Sequence, residues 1–344
     1  MSDLVADTGR RLFGAHAEAL RAAAPPQADA TAPFPAALWA DIEAAGLPLA
    51  LLSEDQGGFG LDAAEALQLV QIAAAHAAPV PLAETMLANW LLAAAGLDPA
   101  EGPAAVVSGL TLAGGRVTGK APRVPWGRDA AVVVALAGDR LMRLTTGWQV
   151  DESHNIAAEP RDTLTFDTPA DTQAAAPVSA DTLHALMAML RAQALAGALD
   201  AALNRTVAYA NERMQFGRAI GKFQAIQQSL AVMATEVAAA RAGAGMAAAA
   251  LPLARSDARA FTMAAAAAKL RAGEAAGIAA GIAHQVHGAI GFTAEYPLHP
   301  LTRRLWAWRD ECGSESQWAG ILGDLACTLG PRGFWPFLTG TEAA

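Results

Sequence analysis

Cysteine and basic residues are scarce in this sequence, and each scarcity excludes a class of protein. Only two of the 344 residues are cysteines, Cys312 and Cys327. That number excludes a domain held by a disulfide framework and is typical of a reducing cytosol. The 24 lysine and arginine residues are outnumbered by 33 acidic residues, for a net charge of -9. Nucleic-acid binding over a broad surface needs clustered basic residues and is therefore not expected, although a local basic site for an anionic cofactor is still possible.

Long uninterrupted hydrophobic segments are also missing. Residues 1–20 carry acidic and basic side chains among the apolar ones, which does not suit the core of a signal peptide. The apolar run at 242–254 is shorter than the roughly 20 residues that a spanning helix needs. We therefore expect a cytoplasmic protein with no membrane span. Hydrophobic residues make up 53% and charged residues 17%, which excludes a mainly disordered chain, and the abundance of alanine favours helices.

Composition divides the chain into three zones that predict a mainly α protein with a small β domain. Residues 1–102 are rich in alanine and leucine, with short breaks at proline and glycine, and predict a helical domain. Residues 103–178 hold short β-branched or apolar runs between glycine-containing turns, and predict a small antiparallel β domain. Residues 179–344 predict an antiparallel four-helix bundle, because long helical segments follow one another with short connections. The four predicted helices cover about 183–212, 223–250, 256–287 and 315–328.

The stretch at 211–224 is the first candidate for a site. A long predicted helix ends there in a basic loop that contains glycine, and a new helix follows. Arg213, Arg218 and Lys222 lie close together near a helix terminus, an arrangement that suits a phosphate because guanidinium groups and helix-start amides both donate to it. The alternative interpretation is a solvated basic turn.

The stretch at 285–297 is the second candidate, and it lies where the third predicted bundle helix ends. Gly288 and Gly291 allow close approach of a ligand to the backbone, and Gln285 can both donate and accept hydrogen bonds. The alternative is an ordinary glycine helix stop. His284 and His287 have no third ligand at a suitable spacing, so no metal site is expected.

Together, and in this order, the two stretches closely resemble the C-terminal half of the acyl-CoA dehydrogenase family. In that family the first stretch reads Arg-x-x-Phe-Gly followed by Phe-Gln. The second reads Gln-x-x-Gly-Gly-x-Gly-Phe-x-x-Glu-Tyr-Pro. The resemblance covers most of the chain, since residues 53–60 resemble a loop of the family's N-terminal helical domain and residues 115–120 resemble a strand of its β domain. It implies the family fold of a helical domain, a β domain and a four-helix bundle.

The resemblance also implies an activity and a cofactor. Family members oxidise an acyl-CoA thioester to the trans-2-enoyl-CoA with FAD, and electron-transfer flavoprotein is the expected acceptor. A carboxylate removes the α-proton, because an unaided α-C–H is a very weak acid. One subunit holds the flavin ring, while loops of its neighbour hold the diphosphate and adenosine end. Carried over to this chain, the cofactor-binding residues are Arg213, Phe216, Gln224, Gln285, Gly288 and Gly291.

Two departures from the family pattern concern the flavin ring and the base. The Thr-Glu-Pro-x-x-Gly-Ser motif that opens the β domain is missing between Leu97 and Gly119, and Trp126 is displaced from the position of the family's ring-contacting Trp. Counting from the Tyr-Pro pair places Cys312 at the position of the catalytic Glu, with Glu311 one residue earlier. Other members carry the Glu on the first bundle helix, where this chain has Met187.

These departures leave three hypotheses. The preferred one is a short subunit of a heteromeric acyl-CoA dehydrogenase, resembling those of bacterial pathways that shorten steroid side chains and other bulky acyl groups. A longer partner would then supply the flavin-ring site and the catalytic Glu. The first alternative is a self-sufficient homomer that uses Glu311 as its base and has a rebuilt ring pocket. The second is a non-catalytic scaffold that has lost the cofactor.

Overall fold

Four helices form the N-terminal part of the chain in the computed structural model, which describes residues 2–23, 31–170 and 172–339. They are α1 (Ser2–Ala23), α2 (Ala36–Ala44), α3 (Ala63–Ala75) and α4 (Leu82–Ala94). Asp62 caps α3, since its side chain accepts a hydrogen bond from the backbone N–H of Glu65 and the Glu65 side chain is directed back to the Asp62 N–H. The first and last residues of the predicted domains, Met1 and Ala344, lie outside the described residues.

Eight short strands follow and form two four-stranded sheets. They are β1 (Ala104–Ser108), β2 (Thr111–Ala113), β3 (Arg116–Pro125), β4 (Val132–Ala137), β5 (Arg140–Leu144), β6 (Trp148–Asp151), β7 (Arg161–Pro169) and β8 (Gln173–Ala175). The sheet orders are β1-β4-β5-β8 and β2-β3-β7-β6. The β1–β4 pair is parallel, so the expectation of a purely antiparallel region was wrong for this pair. Nothing in the local alternation of a strand specifies the direction of a partner that joins it across a crossover.

The C-terminal part is a bundle of long helices with two additional short ones. The elements are α5 (Ala180–Glu212), a ribbon of β9 (Met214–Gln215) and β10 (Arg218–Ala219), α6 (Gln224–Ala249), α7 (Leu253–Ser256), α8 (Ala258–His287), α9 (His299–Asp310) and α10 (Glu315–Thr339). The mainly α fold with a small β region and a helical bundle is confirmed. Helix α8, predicted to begin at about 256, is capped by Asp257, whose side chain accepts from the Ala260 N–H at 3.1 Å.

One hydrophobic core joins the N-terminal helices to the bundle, while the two sheets have a second core of their own. Helices α3 and α5 approach so closely that a Cβ at Gly197 would overlap the carbonyl oxygen of Gln71. Gln193 links both neighbours of α5: its Oε1 accepts from Gln71 Nε2 at 2.7 Å, and its Nε2 donates to the Ala244 carbonyl at 2.7 Å. The helical domain is therefore fixed on the bundle by packing and by buried amides.

Helix α5 is long and apolar enough to cross a membrane by length and composition alone. Most of its apolar window is buried between the other helices, as in the core helix of a bundle.

Candidate functional site

The loop after α5 presents an exposed aromatic ring and several exposed cations. The backbone N–H of Arg213 donates to the Tyr209 carbonyl at 2.9 Å, and the Arg213 carbonyl accepts from the Ile220 N–H at 2.8 Å. Between them, Phe216 and Gly217 form the two-residue turn of the β9–β10 ribbon with φ values of 48° and 77°. Such a turn needs two positive φ angles, which strains a phenylalanine. Phe216 is nevertheless 92% exposed, although its ring meets the Phe223 ring edge-on at 6.0 Å between centroids.

The second predicted segment lies at the same end of the bundle. The Tyr209 ring stacks on the His287 ring at 4.4 Å between centroids, and the Tyr209 hydroxyl donates to the His287 carbonyl at 3.4 Å. Helix α8 ends at His287, and Gly288 has a φ of 64°. Gly291 is buried, and a Cβ there would lie 3.0 Å from the Cβ of His287. The structure therefore brings the two stretches together through Tyr209.

This end of the bundle has the chemistry to hold a diphosphate. The side chains of Arg213, Lys222, Gln224 and Gln285 are all exposed. Helix α6 begins at Gln224 without a side-chain cap, so its first backbone N–H groups are available to an anion. Arg218 lies over the Phe223 ring at 4.2 Å, a stacking that leaves the guanidinium edge open. The residues present thus fit a diphosphate such as that of FAD.

Glu311 lies in a different place, partly buried just after the end of α9. Its Oε1 accepts from Arg161 Nε at 2.8 Å and from Asn155 Nδ2 at 2.9 Å. Its Oε2 accepts from Arg191 Nε at 2.7 Å and from Arg161 Nη2 at 3.0 Å. Burial alone would raise the pKa of Glu311, but the charges and hydrogen bonds of the two arginines and Asn155 lower it to about 2.

The ion pairs of Glu311 belong to a larger buried cluster, which we call the central ionic cluster. Arg191 also donates to Glu84 at 2.7 Å, while Arg161 and Arg304 each donate to Glu159 at 2.9 Å. Three positive and three negative side chains are therefore balanced where α4, the β domain, α5 and α9 meet. Trp308 Nε1 adds a further donor to Glu159 at 2.9 Å. The cavity beside the cluster measures about 40 Å³.

The turn that carries Glu311 and Cys312 is also held from the bundle side. The buried Lys269 donates from Nζ to the carbonyls of Arg309 and Gly313, at 2.6 and 2.8 Å. Trp318 Nε1 donates to the Cys312 carbonyl at 2.9 Å. Burial raises the pKa of the Cys312 thiol. A thiol in this environment stays protonated, so Cys312 does not replace the family's carboxylate as a proton acceptor.

The displaced tryptophan of the β domain, Trp126, lies inside the protein. Trp126 is buried, and its ring packs edge-on against Phe34 at 5.9 Å. Its backbone N–H donates to the Pro160 carbonyl at 3.2 Å. Because Trp126 is only 3% exposed, it offers no free surface for a flavin.

Sequence reasoning missed Arg161, Arg191 and Glu84, which hold Glu311 in place. A signal for two of them is present in the sequence. Arg191 is the only charged residue between Asp181 and Asp200 on α5, and Glu84 is the only one on α4. A lone charge on an otherwise apolar buried helix indicates an ion-pair partner elsewhere in the fold.

Comparison with known proteins places this geometry in a family. The family model for the acyl-CoA dehydrogenase C-terminal domain matches residues 179–311. The chain is 31% identical over 265 residues to acyl-CoA dehydrogenase IpdE2 of Mycobacterium tuberculosis, covering 76% of this chain and 77% of that protein.

Solved structures agree with this assignment. A variant of the steroid ACAD Tcur3481-Tcur3483 has a TM-score of 0.80 at 25% identity, over 95% of this chain and 98% of that one. The ChsE4-ChsE5 complex of M. tuberculosis has a TM-score of 0.77 at 21% identity, over 92% and 96%, which is a likeness of fold. The chain belongs to the acyl-CoA dehydrogenase family of flavin-dependent oxidoreductases that act on CH–CH bonds.

Proposed function

We propose that this chain is the partner subunit of a heteromeric acyl-CoA dehydrogenase, in which it supplies the half-site for the ADP end of FAD. The longer subunit supplies the flavin-ring pocket and the catalytic carboxylate. The observation that carries the proposal is the position of Glu311, whose two carboxylate oxygens are both held by buried guanidinium groups. The assembled enzyme desaturates an acyl-CoA thioester between its α and β carbons.

Glu311 has the wrong proton affinity and the wrong surroundings for a base. A general base works best with a pKa near the working pH and must reach the proton it removes. The pKa of Glu311 is about 2, and moving its carboxylate away from Arg161 and Arg191 would leave the buried cluster with one unbalanced positive charge. The adjoining cavity of about 40 Å³ is far below the roughly 300–1,000 Å³ of ordinary ligand pockets. These features favour the heteromer over a homomer that uses Glu311.

The exposed end of the bundle supports a retained cofactor role rather than an inert scaffold. Arg213 would pair with the FAD diphosphate, with the α6 amides as further donors, and Gln285 and the Gly288–Gly291 backbone would contact the adenosine end. Phe216 would pack on the neighbouring subunit, which would explain why its side chain is exposed and its backbone is strained. When bound, FAD supplies the hydride acceptor. This chain's own residues bind and orient it and take no proton from the substrate.

Exposed apolar side chains on the bundle support an obligate assembly. On α6, Val232 and Met246 are exposed while Met233 and Val237 are buried, so apolar residues occupy more than the roughly 100°-wide stripe that one core needs. A neighbouring subunit would cover the outer face. The similarity to a steroid ACAD supports a bulky acyl-CoA, such as one carrying a steroid side chain, as the substrate, with electron-transfer flavoprotein as the acceptor.

Flavin content separates this proposal from the two alternatives. The chain is purified alone and together with the longer acyl-CoA dehydrogenase that co-purifies with it from the native host. We expect a colourless protein alone, and a yellow heterotetramer with fewer FAD molecules than chains when the partner is present. Stoichiometric FAD on the chain alone would establish the homomer. No flavin in either preparation would establish the scaffold.

A further inference from the structure

A second cavity, bordered by Arg304 of the central ionic cluster and by Pro297 at the end of the second cofactor stretch, lies between the N-terminal helices and the bundle. Its volume is about 500 Å³. Apolar side chains from α1, from the segment leading into α2 and from the start of α9 form much of its wall, among them Leu20, Phe34, Leu38 and Leu301. This volume is within the roughly 300–1,000 Å³ range of pockets that enclose small organic ligands.

The charged side chains among the described residues of this wall are all basic. Four arginines and three histidines line the cavity, and none of the described lining residues is Asp or Glu. In a chain with 33 acidic and 24 basic residues, such a one-sided lining is not expected by chance. Arg304 and His16 pair with Glu159 and Asp41, and neither acid is among the described residues that line the cavity.

Arg205 on α5 gives the independent indication of a ligand. Its Nε is buried and has no hydrogen-bond partner. Burial lowers the pKa of its guanidinium; the nearby Tyr296 opposes this shift and the positive charge of Arg21 adds to it. A buried N–H that has lost water without gaining an acceptor destabilises the fold. A group of this kind is expected where an anionic ligand binds and supplies the missing acceptor.

We propose that this cavity binds a small amphipathic anion, whose single carboxylate or phosphate head pairs with Arg205 and whose apolar body contacts Leu20, Phe34 and Leu38. The shape and the charge each restrict the occupant. A fully polar ion would leave the apolar wall unfilled, and an uncharged hydrocarbon would leave Arg205 unpaired. The site uses none of the residues assigned to FAD, so it stands independently of the proposed cofactor role.

The test is calorimetric titration of the full-length chain with three probes of equal chain length: decanoate, decyl phosphate and decanol. We expect the two anions to bind at least about tenfold more tightly than decanol, because only they satisfy a buried guanidinium. The stronger of the two identifies the head group. Arg205→Met should weaken anion binding by about tenfold or more. The matched control Arg255→Met, at an exposed arginine outside the cavity, should leave it unchanged.

A second measurement distinguishes a binding residue from a structural one. Because Arg205 has no partner for its buried Nε, Arg205→Met should not lower the melting temperature of the ligand-free protein, and it should remove the stabilisation that decanoate gives to the wild type. Ala17→Phe fills the cavity without changing its charges and should also abolish binding. The proposal is overturned if decanol binds as well as the anions, if none of the three probes binds, or if Arg205→Met binds decanoate normally.

Discussion

Replacing Glu311 with glutamine removes one negative charge from the central ionic cluster, and the structure gives the size of the effect. The wild-type cluster has three cations and three anions. The variant has three cations and two anions, so one buried positive charge is unbalanced. Removing one partner of a buried ion pair costs about 3–5 kcal/mol. The downward shift of the Glu311 pKa from 4.5 to about 2 corresponds to a similar figure, about 3 kcal/mol.

The sign of the pH dependence follows from the same shift. The pKa of Glu311 is lower in the folded protein than in the unfolded chain, so its contribution is fully present above about pH 5 and is lost as the pH falls towards about 2. Urea unfolding of the wild type and of Glu311→Gln should therefore give curves that differ most at neutral pH and converge in acid. A variant that loses less than about 1 kcal/mol at neutral pH would refute the reasoning.

Two controls separate charge balance from the loss of a side chain. Glu152→Gln breaks an exposed pair with Arg128 and should cost less than about 1 kcal/mol. The double variant Arg161→Met/Glu311→Gln restores neutrality, because Arg191 keeps Glu84 and Arg304 keeps Glu159. It should be more stable than Glu311→Gln alone. If the double variant is the less stable of the two, charge balance does not govern the cluster.

Three further predictions concern the cofactor, the packing and the assembly. Arg213→Ala in the assembled heteromer should weaken FAD binding by about tenfold to a hundredfold, whereas Arg255→Ala should not; equal FAD affinity in both would remove Arg213 from the site. Gly197→Ala should destabilise the chain by about 1–3 kcal/mol, because its methyl group meets the Gln71 carbonyl. Gly14→Ala, a helical glycine with open space around it, should instead raise stability by up to about 1 kcal/mol; equal effects of the two would contradict the close α3–α5 approach. The chain should form an oligomer whose interface buries more than about 2,000 Å², and light scattering measures the mass of that oligomer. A mass of 35.2 kDa, which is that of one chain, with or without the partner would exclude a shared site.

The long bundle helices could be predicted because their signals are local. Helix α5 ends at Glu212 and α8 at His287, at the boundaries that the basic loop and Gly288 indicated. Helix α9 was missed, since its 12 residues begin with His-Pro and include three arginines, which obscures its apolar stripe. The buried Arg304 on this short helix is explained only by Glu159, the acid that the fold brings to it.

The central ionic cluster could not be predicted for a related reason. The partners of its ion pairs are separated in sequence by 107, 120 and 150 residues, for Glu84–Arg191, Arg191–Glu311 and Arg161–Glu311. No local pattern connects residues at such separations. The cofactor loops were easier to locate, because each is a short continuous segment at a helix end. Their contact through Tyr209 and His287 still required the three-dimensional fold.

Turnover per bound FAD in the reconstituted heteromer tests the central claim most directly. Two variants are compared, Glu311→Gln in this chain and the corresponding Glu→Gln substitution at the catalytic carboxylate of the longer subunit. If the partner carries the base, its variant should lose several orders of magnitude in turnover with flavin still bound, whereas Glu311→Gln should change turnover per flavin less than about tenfold. The reverse outcome, near-complete loss in Glu311→Gln with FAD intact, would contradict the account and assign the base to this chain.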